Sequence, residues 1–296
     1  MEKIDHNSLR IHTGIKADKE FECDYFGMSN TLNPGSISFI DNENFLDQLN
    51  NNENITVVIC NEELGLKIRN KTIAVCEDPR YYFYVYLNKI GELNYTTFPS
   101  RIHPSAKIHP KAFVSEVNVV IGENTIVHPN ATILADVEIG DDCIIDPAAV
   151  IGATGYEYKK TSKGILPVFH DGKVVIKNKV EVGAGTTIDK GFSFRNTVID
   201  DETKIDNNVY VAHASHVGKR VFIVGNAMLS GSVTVGDDVW IGPSVTLSNG
   251  IKVGNHAILT IGSVVTKDVA ANERVTGNFA VPHTVFMKNL KKKFES

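Results

Sequence analysis

Residues 205–259 read, in groups of six, Ile205-DNNVY, Val211-AHASH, Val217-GKRVF, Ile223-VGNAM, Leu229-SGSVT, Val235-GDDVW, Ile241-GPSVT, Leu247-SNGIK, Val253-GNHAI and then Leu259. An aliphatic residue opens every group, without a break. A period of six is neither that of an α-helix nor that of an alternating strand. It is typical of a parallel β-helix, in which each hexad forms one short side of a prism and three hexads complete a coil.

The opening aliphatic residues are predicted to point inward and to stack on their counterparts eighteen positions later, where the next coil repeats the side. A small residue often follows them, as in Val217-Gly218 and Val235-Gly236. We expect this glycine to serve a tight corner, since glycine tolerates unusual backbone dihedrals. An ordinary β-sandwich is the alternative, but its strands alternate with period two and carry irregular turns. The unbroken register of six favours the prism.

The hexads divide the chain into parts. Residues 1–98 lack them and predict a small N-terminal α/β domain; residues 99–276 form the β-helix, and 277–296 a short C-terminal tail. The register is lost between about 152 and 174, a polar and aromatic segment too long for a corner turn, which predicts a projecting loop of the kind that often serves binding. A smaller irregularity falls at 191–196.

Within the N-terminal domain, residues 36–40 alternate as a strand, and 55–60 and 72–76 are apolar runs of strand length. Asp41 or Asn42 is placed to cap a short helix that follows the first strand. Asp78 and Pro79 open a longer helix, whose tyrosines and phenylalanines are expected to pack against the sheet.

Composition limits the classes of function. The formal net charge is −5 over 296 residues, so there is no basic footprint for nucleic acid. The lysines near 288–293 are interpreted as part of a solvated terminal helix. The amino terminus is polar and no apolar run of about twenty residues occurs, so we expect a cytoplasmic protein without membrane insertion. The ten histidines show no spacing that predicts a metal site.

Several motifs together carry a family resemblance. The hexads, Ser38-FIDNENF, Gly155-YEY, Thr186-TIDKG and Ile205-DNNVYVAH resemble the UDP-3-O-(3-hydroxyacyl)glucosamine N-acyltransferases of the lipid A pathway and their relatives that acylate nucleotide-linked amino sugars. The resemblance covers nearly the whole chain. It implies that the β-helix is left-handed, contrary to the usual crossover rule, and that the protein is a homotrimer with active sites between neighbouring prisms.

Moving an acyl group from a thioester to an amine needs a base for the amine proton and a donor for the oxyanion. His213, at the third position of its hexad and expected to face outward, matches the catalytic histidine of the family. Gly231 holds the same position one coil later and matches the oxyanion donor. The alternative for His213 is a solvent-facing histidine without a role. Nearby His216 is a possible acceptor-pocket residue, and the alternative is that it is only a polar residue on the surface. No role is predicted for His170 in the projecting loop.

The nucleotide-binding residues are likewise implied by the resemblance. Phe39 and Phe45 match two aromatic residues that stack on uracil, and Asn42 matches an amide that pairs with the edge of the base. Packing of both phenylalanines in the domain core is the alternative. Tyr158 is expected to line the acceptor pocket. Uracil and thymine differ by one methyl group, so UDP- and dTDP-linked sugars both remain open.

Two departures bear on the choice of donor. Gly250 stands where the lipid A enzyme carries a histidine, and the tail turn Gly277-NFA resembles that of enzymes that use acyl-CoA. We therefore predict an N-acyltransferase that transfers from acyl-CoA to a UDP- or dTDP-linked amino sugar for cell-surface glycan or lipopolysaccharide synthesis, without a permanently bound cofactor. The alternatives are the lipid A enzyme itself, which uses acyl carrier protein, and a non-catalytic scaffold that binds nucleotide sugars.

Overall fold

The computed structural model describes residues 1–277 and 280–294, with 292–294 described as backbone only; Asn278 and Phe279 of the predicted tail turn lie outside these residues. The N-terminal part is built on a parallel four-stranded sheet of Tyr25–Phe26, Ser36–Ile40, Ile55–Cys60 and Thr72–Val75. The helices around it are His6–Thr13, Leu46–Asn50, Glu62–Gly65 and Pro79–Asn94, with a 3₁₀ turn over Glu43–Phe45. A short antiparallel pair joins Ile4–Asp5 to Glu22–Cys23.

Local signals account for these elements. Asp78 accepts a hydrogen bond from the Tyr81 N–H and Pro79 follows it, which starts the 79–94 helix as predicted. Of the two residues that could cap the earlier turn, Asn42 does so, by accepting from the Asn44 N–H. The His6–Thr13 helix was not predicted; it begins with a capping box formed by Asp5 and Ser8.

The hexads form a prism with three faces, and each face is a sheet of parallel strands. The first face contains Arg101–Ile102, Val119–Ile121, Val137–Ile139, Val174–Ile176, Thr197–Ile199, His216–Val217, Thr234–Val235 and Lys252–Val253. The second contains Lys107–Ile108, Ile126–Val127, Ile144–Ile145, Glu181–Val182, Lys204–Ile205, Phe222–Ile223, Trp240–Ile241, Ile258–Leu259 and Arg274–Val275. The third contains Phe113–Val114, Thr132–Ile133, Val150–Ala153, Thr187–Asp189, Tyr210–Val211, Met228–Leu229, Thr246–Leu247 and Val264–Val265.

The aliphatic ladder predicted from the hexads is present inside this prism. Val211 pairs with Leu229 eighteen positions later, and Leu229 pairs in turn with Leu247. All three are fully buried and belong to one continuous core. Stacking whole coils removes apolar area from water along the length of the prism, which is the main favourable term in its folding.

The corners correct the expected role of glycine. Positive φ angles occur three positions after the aliphatic residue, at Asn208 (55°), Ala214 (54°) and Arg220 (53°), rather than at the glycine directly after it. A β-carbon on Gly218 would instead come within 2.7 Å of the Gly236 carbonyl carbon on the next coil. The prediction that glycine serves unusual dihedrals there was therefore wrong. These glycines are required because neighbouring coils approach closely.

The 152–174 segment leaves the prism and contains an antiparallel hairpin, Tyr158–Thr161 paired with Gly164–Pro167. We call 154–173 the projecting segment. Asn88 of the 79–94 helix holds it with two hydrogen bonds, donating to the Pro167 carbonyl (2.8 Å) and accepting from the Phe169 N–H (2.7 Å). Val168 is buried in the core of the N-terminal part. The projecting segment is thus clamped between that part and the prism. The last element described is the helix His283–Phe294.

Candidate active site

His213 lies in the corner that joins the third face of the prism to the first. The preceding strand Tyr210–Val211 sets its position, and the positive φ of Ala214 (54°) turns the chain after it. The Ser232 N–H on the next coil donates to the His213 carbonyl (2.9 Å), which ties this corner to the one containing Gly231. The histidine backbone is therefore held by the coil register itself.

The His213 ring lies against Gly231. A β-carbon on Gly231 would come within 2.2 Å of His213 Cε1 and 2.8 Å of Nδ1, so only glycine fits beneath this ring. Within the described residues, the Gly231 N–H donates no hydrogen bond, whereas the Gly231 carbonyl accepts from the Gly250 N–H (3.0 Å). Imidazole and unpaired N–H thus lie on adjacent coils, as the spacing of eighteen predicted.

The outward-facing His213 is nevertheless not open to solvent. The residue is only 7% exposed, because the projecting segment and the 191–196 loop cover it. Gly155 packs on the His213 ring so closely that a β-carbon would meet it at 2.9 Å. Phe192 approaches edge-on with ring centroids 4.9 Å apart, and the His170 ring lies 6.2 Å away.

Glu157, in the projecting segment, is the acidic partner of His213. Its Oε2 lies 3.4 Å from His213 Nε2, and its carboxylate also pairs with Lys159. His213 Nδ1 is buried and has no hydrogen-bond partner among the described residues. Burial lowers the pKa of His213; Glu157 opposes that change, and Arg195 and Lys159 add to it. The imidazole is therefore neutral at pH 7 and able to accept a proton.

A cavity of about 400 Å³ lies beside His213, separated from it by Phe192. The N-terminal part and the prism both line it, with Phe26, Gly27, Met28, Asn30, Thr31, Leu32, Asn33, Tyr84, Lys159, Phe192, Ser193 and Arg195. Arg195 donates to the Ser232 hydroxyl (3.1 Å), and its guanidinium lies 5.1 Å from the centre of the Phe192 ring. The cavity thus combines apolar walls with two cations, a lining suited to an anionic ligand that carries an apolar or planar group.

The predicted nucleotide-binding residues lie together at the end of the Ser36–Ile40 strand and in the turn after it. Phe45 is 51% exposed and free to stack on a base. Phe39 is half-buried and packs on Phe83, with ring centroids 4.9 Å apart. Because Asn42 Oδ1 caps its own turn, its Nδ2 is the group left to donate to a ligand.

Tyr158 and His216 are not brought to His213. Tyr158 is exposed on the hairpin and packs on Tyr156, with ring centroids 5.0 Å apart. His216 lies on the first face and pairs with Asp200 at 2.8 Å, with its side chain half exposed. Gly250, where the resembling enzymes carry a histidine, has a positive φ of 74° and open space around it.

Four residues around His213 had no role predicted for them: Glu157, Lys159, His170 and Arg195. All of them come from the two segments that break the hexad register. The break in the register and the polar and aromatic residues within it indicated that these segments could contribute to a site. They did not indicate which side chain turns toward the prism.

In residues 1–277 and 280–294, no three His, Cys, Asp or Glu side chains are grouped so that they could hold a metal ion. None of the helices in this part of the chain is both long enough and apolar enough to span a membrane.

Comparisons with known proteins agree with this geometry. Residues 118–153 match the family described as bacterial transferase hexapeptide (six repeats). UDP-3-O-acylglucosamine N-acyltransferase of Bordetella pertussis is 27% identical, over 86% of this chain and 80% of its own length. The enzyme of the same name from Herminiimonas arsenicoxydans is 26% identical, over 69% of this chain and 66% of its own length. Further relatives with this name align over 41–51% of their own length.

Among solved structures, UDP-N-acetylglucosamine acyltransferase from Campylobacter jejuni is similar, with a TM-score of 0.51 and 25% identity, over 60% of this chain and 72% of that one. Fold, site and comparisons together define a hexapeptide-repeat acyltransferase built on a left-handed parallel β-helix. Within that class, the chain resembles the UDP-3-O-acylglucosamine N-acyltransferases. An enzyme is therefore favoured over the non-catalytic scaffold.

Proposed function

We propose that this protein transfers an acyl group from a thioester to the amine of a UDP-linked amino sugar. The observation that carries the proposal is the His213 imidazole, unprotonated at neutral pH, lying against Gly231 with its free N–H. A base and an oxyanion donor on adjacent coils are the two groups that acyl transfer to an amine requires. The names of the relatives supply the acceptor class.

In the proposed reaction, the amine nitrogen attacks the thioester carbonyl carbon while His213 takes a proton from the amine. The carbonyl oxygen becomes an oxyanion that the Gly231 N–H stabilises. Collapse of this intermediate breaks the C–S bond, and the thiolate leaves as a thiol with the proton returned by His213. The thioester already carries an activated acyl group, so the reaction needs no bound metal or redox cofactor.

The nucleotide is proposed to bind between the N-terminal part and the prism. Phe45 and Phe39 would hold the base, and Asn42 would donate to its edge. Tyr84 contacts Phe39, with ring centroids 5.7 Å apart, and also lines the cavity that contains Arg195. Tyr84 thus stands between the proposed base site and the cavity, whose cations suit the diphosphate of a nucleotide sugar.

The comparisons favour the lipid A pathway over the acyl-CoA prediction. Both of the relatives described above act, by name, on UDP-3-O-acylglucosamine, and we propose this acceptor class, with acyl carrier protein as donor, as the leading function. Acyl-CoA stays as the second candidate because Gly250 replaces a histidine that the lipid A enzyme carries. The Gly250 N–H donates to the Gly231 carbonyl, so that histidine would have stood beside the reacting centre.

We further propose that the active unit is a homotrimer. Phe222 and Trp240 leave 49% and 44% of their area exposed on the second face, and Met228 and Val264 leave 41% and 61% on the third. Exposed apolar rows of this kind are unusual on a monomer and suit the packing of prisms side by side. Sedimentation velocity should give three times the chain mass. The predicted cytoplasmic location stays a prediction.

The test is thiol release from a panel of acyl-CoAs and acyl carrier proteins, with UDP- and dTDP-linked amino sugars as acceptors. Turnover with 3-hydroxyacyl carrier protein and UDP-3-O-acylglucosamine would support the leading function, and turnover with acyl-CoA alone would support the second. His213→Ala should lower kcat by about 10²–10⁴-fold. Full activity in this variant would overturn the assignment of the base.

A further inference from the structure

A line of three charged or titratable side chains leads from the cavity to the reacting centre. Lys159 lines the cavity and pairs with Glu157, which lies 3.4 Å from His213 Nε2. The side chains of Glu157 and His213 are only 15% and 9% exposed, so solvent screens this contact weakly. Lys159 and Glu157 come from the projecting segment, and His213 from the prism.

The backbone fixes the position of Glu157. Its N–H donates to the Gly155 carbonyl (3.1 Å), and its own carbonyl accepts from the Val168 N–H (3.0 Å). Val168 is buried in the core of the N-terminal part, so Glu157 is anchored by packing well outside the prism. Gly155 rests directly on the His213 ring, where a β-carbon would meet it at 2.9 Å. These contacts fix the direction from which the Glu157 carboxylate approaches the His213 ring.

The chemistry of the contact selects one form of the imidazole. An ionised carboxylate only accepts hydrogen bonds, so Glu157 favours the tautomer that carries its proton on Nε2. The lone pair is then on Nδ1, which is buried and unpartnered within the described part of the chain. Both ring nitrogens lie close to Gly231, since a β-carbon on that glycine would lie 2.6 Å from Nε2 and 2.8 Å from Nδ1. The contact with Glu157, which is made by Nε2, is what distinguishes the two nitrogens.

Four groups act on the charge of His213. Lys159 and Arg195 are cations, His170 is a buried second imidazole, and the Glu157 anion acts to raise the His213 pKa. Glu157 therefore opposes the burial of the ring and its two cationic neighbours, which together lower that pKa. Lys159 in turn pairs with the Glu157 carboxylate.

We propose that Glu157 is the positioning residue of the active site: its carboxylate, paired with Lys159, orients His213 with the proton on Nε2 and presents Nδ1 to the amine. This inference rests on the proposed acyl transfer. It assigns to the projecting segment a direct part in forming the site, in addition to covering it.

The experiment compares wild type, Glu157→Gln and a matched control, Glu22→Gln. Glu22 pairs with Lys3 at 2.8 Å on the exposed surface of the N-terminal part. Glu157→Gln keeps the shape of the side chain but removes its charge, and its amide can donate to Nε2 and stabilise the wrong tautomer. We expect kcat to fall about 100-fold with KM changed less than about two-fold, and the acidic limb of kcat/KM to move to lower pH.

A second readout does not depend on turnover. NMR titration of the His213 Cε1–H signal, assigned by comparison with His213→Asn, should give a lower pKa in Glu157→Gln than in wild type, and the same pKa in Glu22→Gln. An equal or higher His213 pKa in Glu157→Gln would overturn the inference. If wild type releases no thiol with any donor, the proposed function fails, and the titration still decides the contact between Glu157 and His213.

Discussion

The His213 imidazole occupies the space that a side chain on Gly231 would need, since a β-carbon there would lie 2.2 Å from His213 Cε1. Gly231→Ala should therefore displace the base and place a methyl group beside the oxyanion donor. We expect kcat to fall about 10²–10³-fold, as for loss of an oxyanion donor, with the prism still folded by circular dichroism.

Gly225→Ala is the matched control, since Gly225 holds the same position in the preceding hexad. Its added β-carbon would lie 3.2 Å from the flexible end of Asp206 and would touch no catalytic group. This variant should keep wild-type kcat. Equal losses in both variants would show that glycine serves only the coil backbone.

The two phenylalanines proposed to bind the base should respond differently to truncation. Phe45→Ala removes an exposed ring, so it should weaken UDP binding about 5- to 150-fold by calorimetry without lowering the melting temperature. Phe39→Ala should weaken UDP binding and also destabilise the N-terminal part, because Phe39 packs on Phe83. Phe113→Ala, an exposed ring on the prism, is the control. Unchanged UDP binding in Phe45→Ala would remove it from the site.

His170 makes stability depend on pH. Burial lowers its pKa below the ordinary 6.5, and its Nδ1 donates to the Val168 carbonyl (2.9 Å). As pH falls through about 6.5, the unfolded chain binds a proton that the folded chain does not, so the free energy of unfolding decreases. The stability present at pH 7.5 should thus be partly lost by about pH 5.5.

His170→Phe should make that decrease smaller, although His213, whose pKa is also lowered, continues to contribute. Urea unfolding at a series of pH values measures the difference, and His128→Phe is the control, since the His128 side chain is 42% exposed. An unchanged pH dependence in His170→Phe would show that its imidazole is protonated in the folded protein as readily as in the unfolded chain.

The corner geometry predicts opposite effects for two exchanges between alanine and glycine. Ala148 has a φ of 61°, so Ala148→Gly should relieve strain and raise the free energy of unfolding by up to about 1 kcal/mol. Gly218→Ala should lower it by about 1–3 kcal/mol, because the new methyl group meets backbone of the next coil. Denaturant unfolding checks both signs.

Asn88 gives a test of coupling at a distance from the reacting atoms. Asn88→Ala removes two of the hydrogen bonds that hold the projecting segment to the N-terminal part, so hydrogen exchange should rise across 155–172 and kcat should fall as Glu157 loses its fixed position. Asn50→Ala is matched, since Asn50 bridges Lys67 and Arg69 with two comparable bonds elsewhere in the N-terminal part. Faster exchange with unchanged kcat would show that the Asn88 hydrogen bonds hold the projecting segment without contributing to catalysis.

Sequence periodicity was sufficient for the β-helix and for the pairing of His213 with Gly231, because a fixed rise per coil converts a spacing of eighteen residues into spatial adjacency. It could not locate Glu157 or His170, which lie where the repeat is absent. Their positions depend on contacts far apart in sequence, such as those of Asn88 with the 167–169 backbone. The predicted role of glycine at the corners was wrong for a related reason. A glycine in the sequence does not reveal whether the backbone needs unusual dihedrals or whether the next coil leaves no space for a β-carbon.

The coil register also limits which insertions and deletions the protein can accept during evolution. His213 and Gly231 lie on adjacent coils, so gain or loss of a complete eighteen-residue coil beyond Val253 would leave the reacting centre intact. A single extra residue can be accommodated at a corner, since Ile102 and Ile121 pair on adjacent coils across nineteen residues and the later aliphatic residues remain in the core. Length variation among descendants of this chain should therefore occur in whole coils, at corners, or where the chain already leaves the prism, at 152–174 and 191–196.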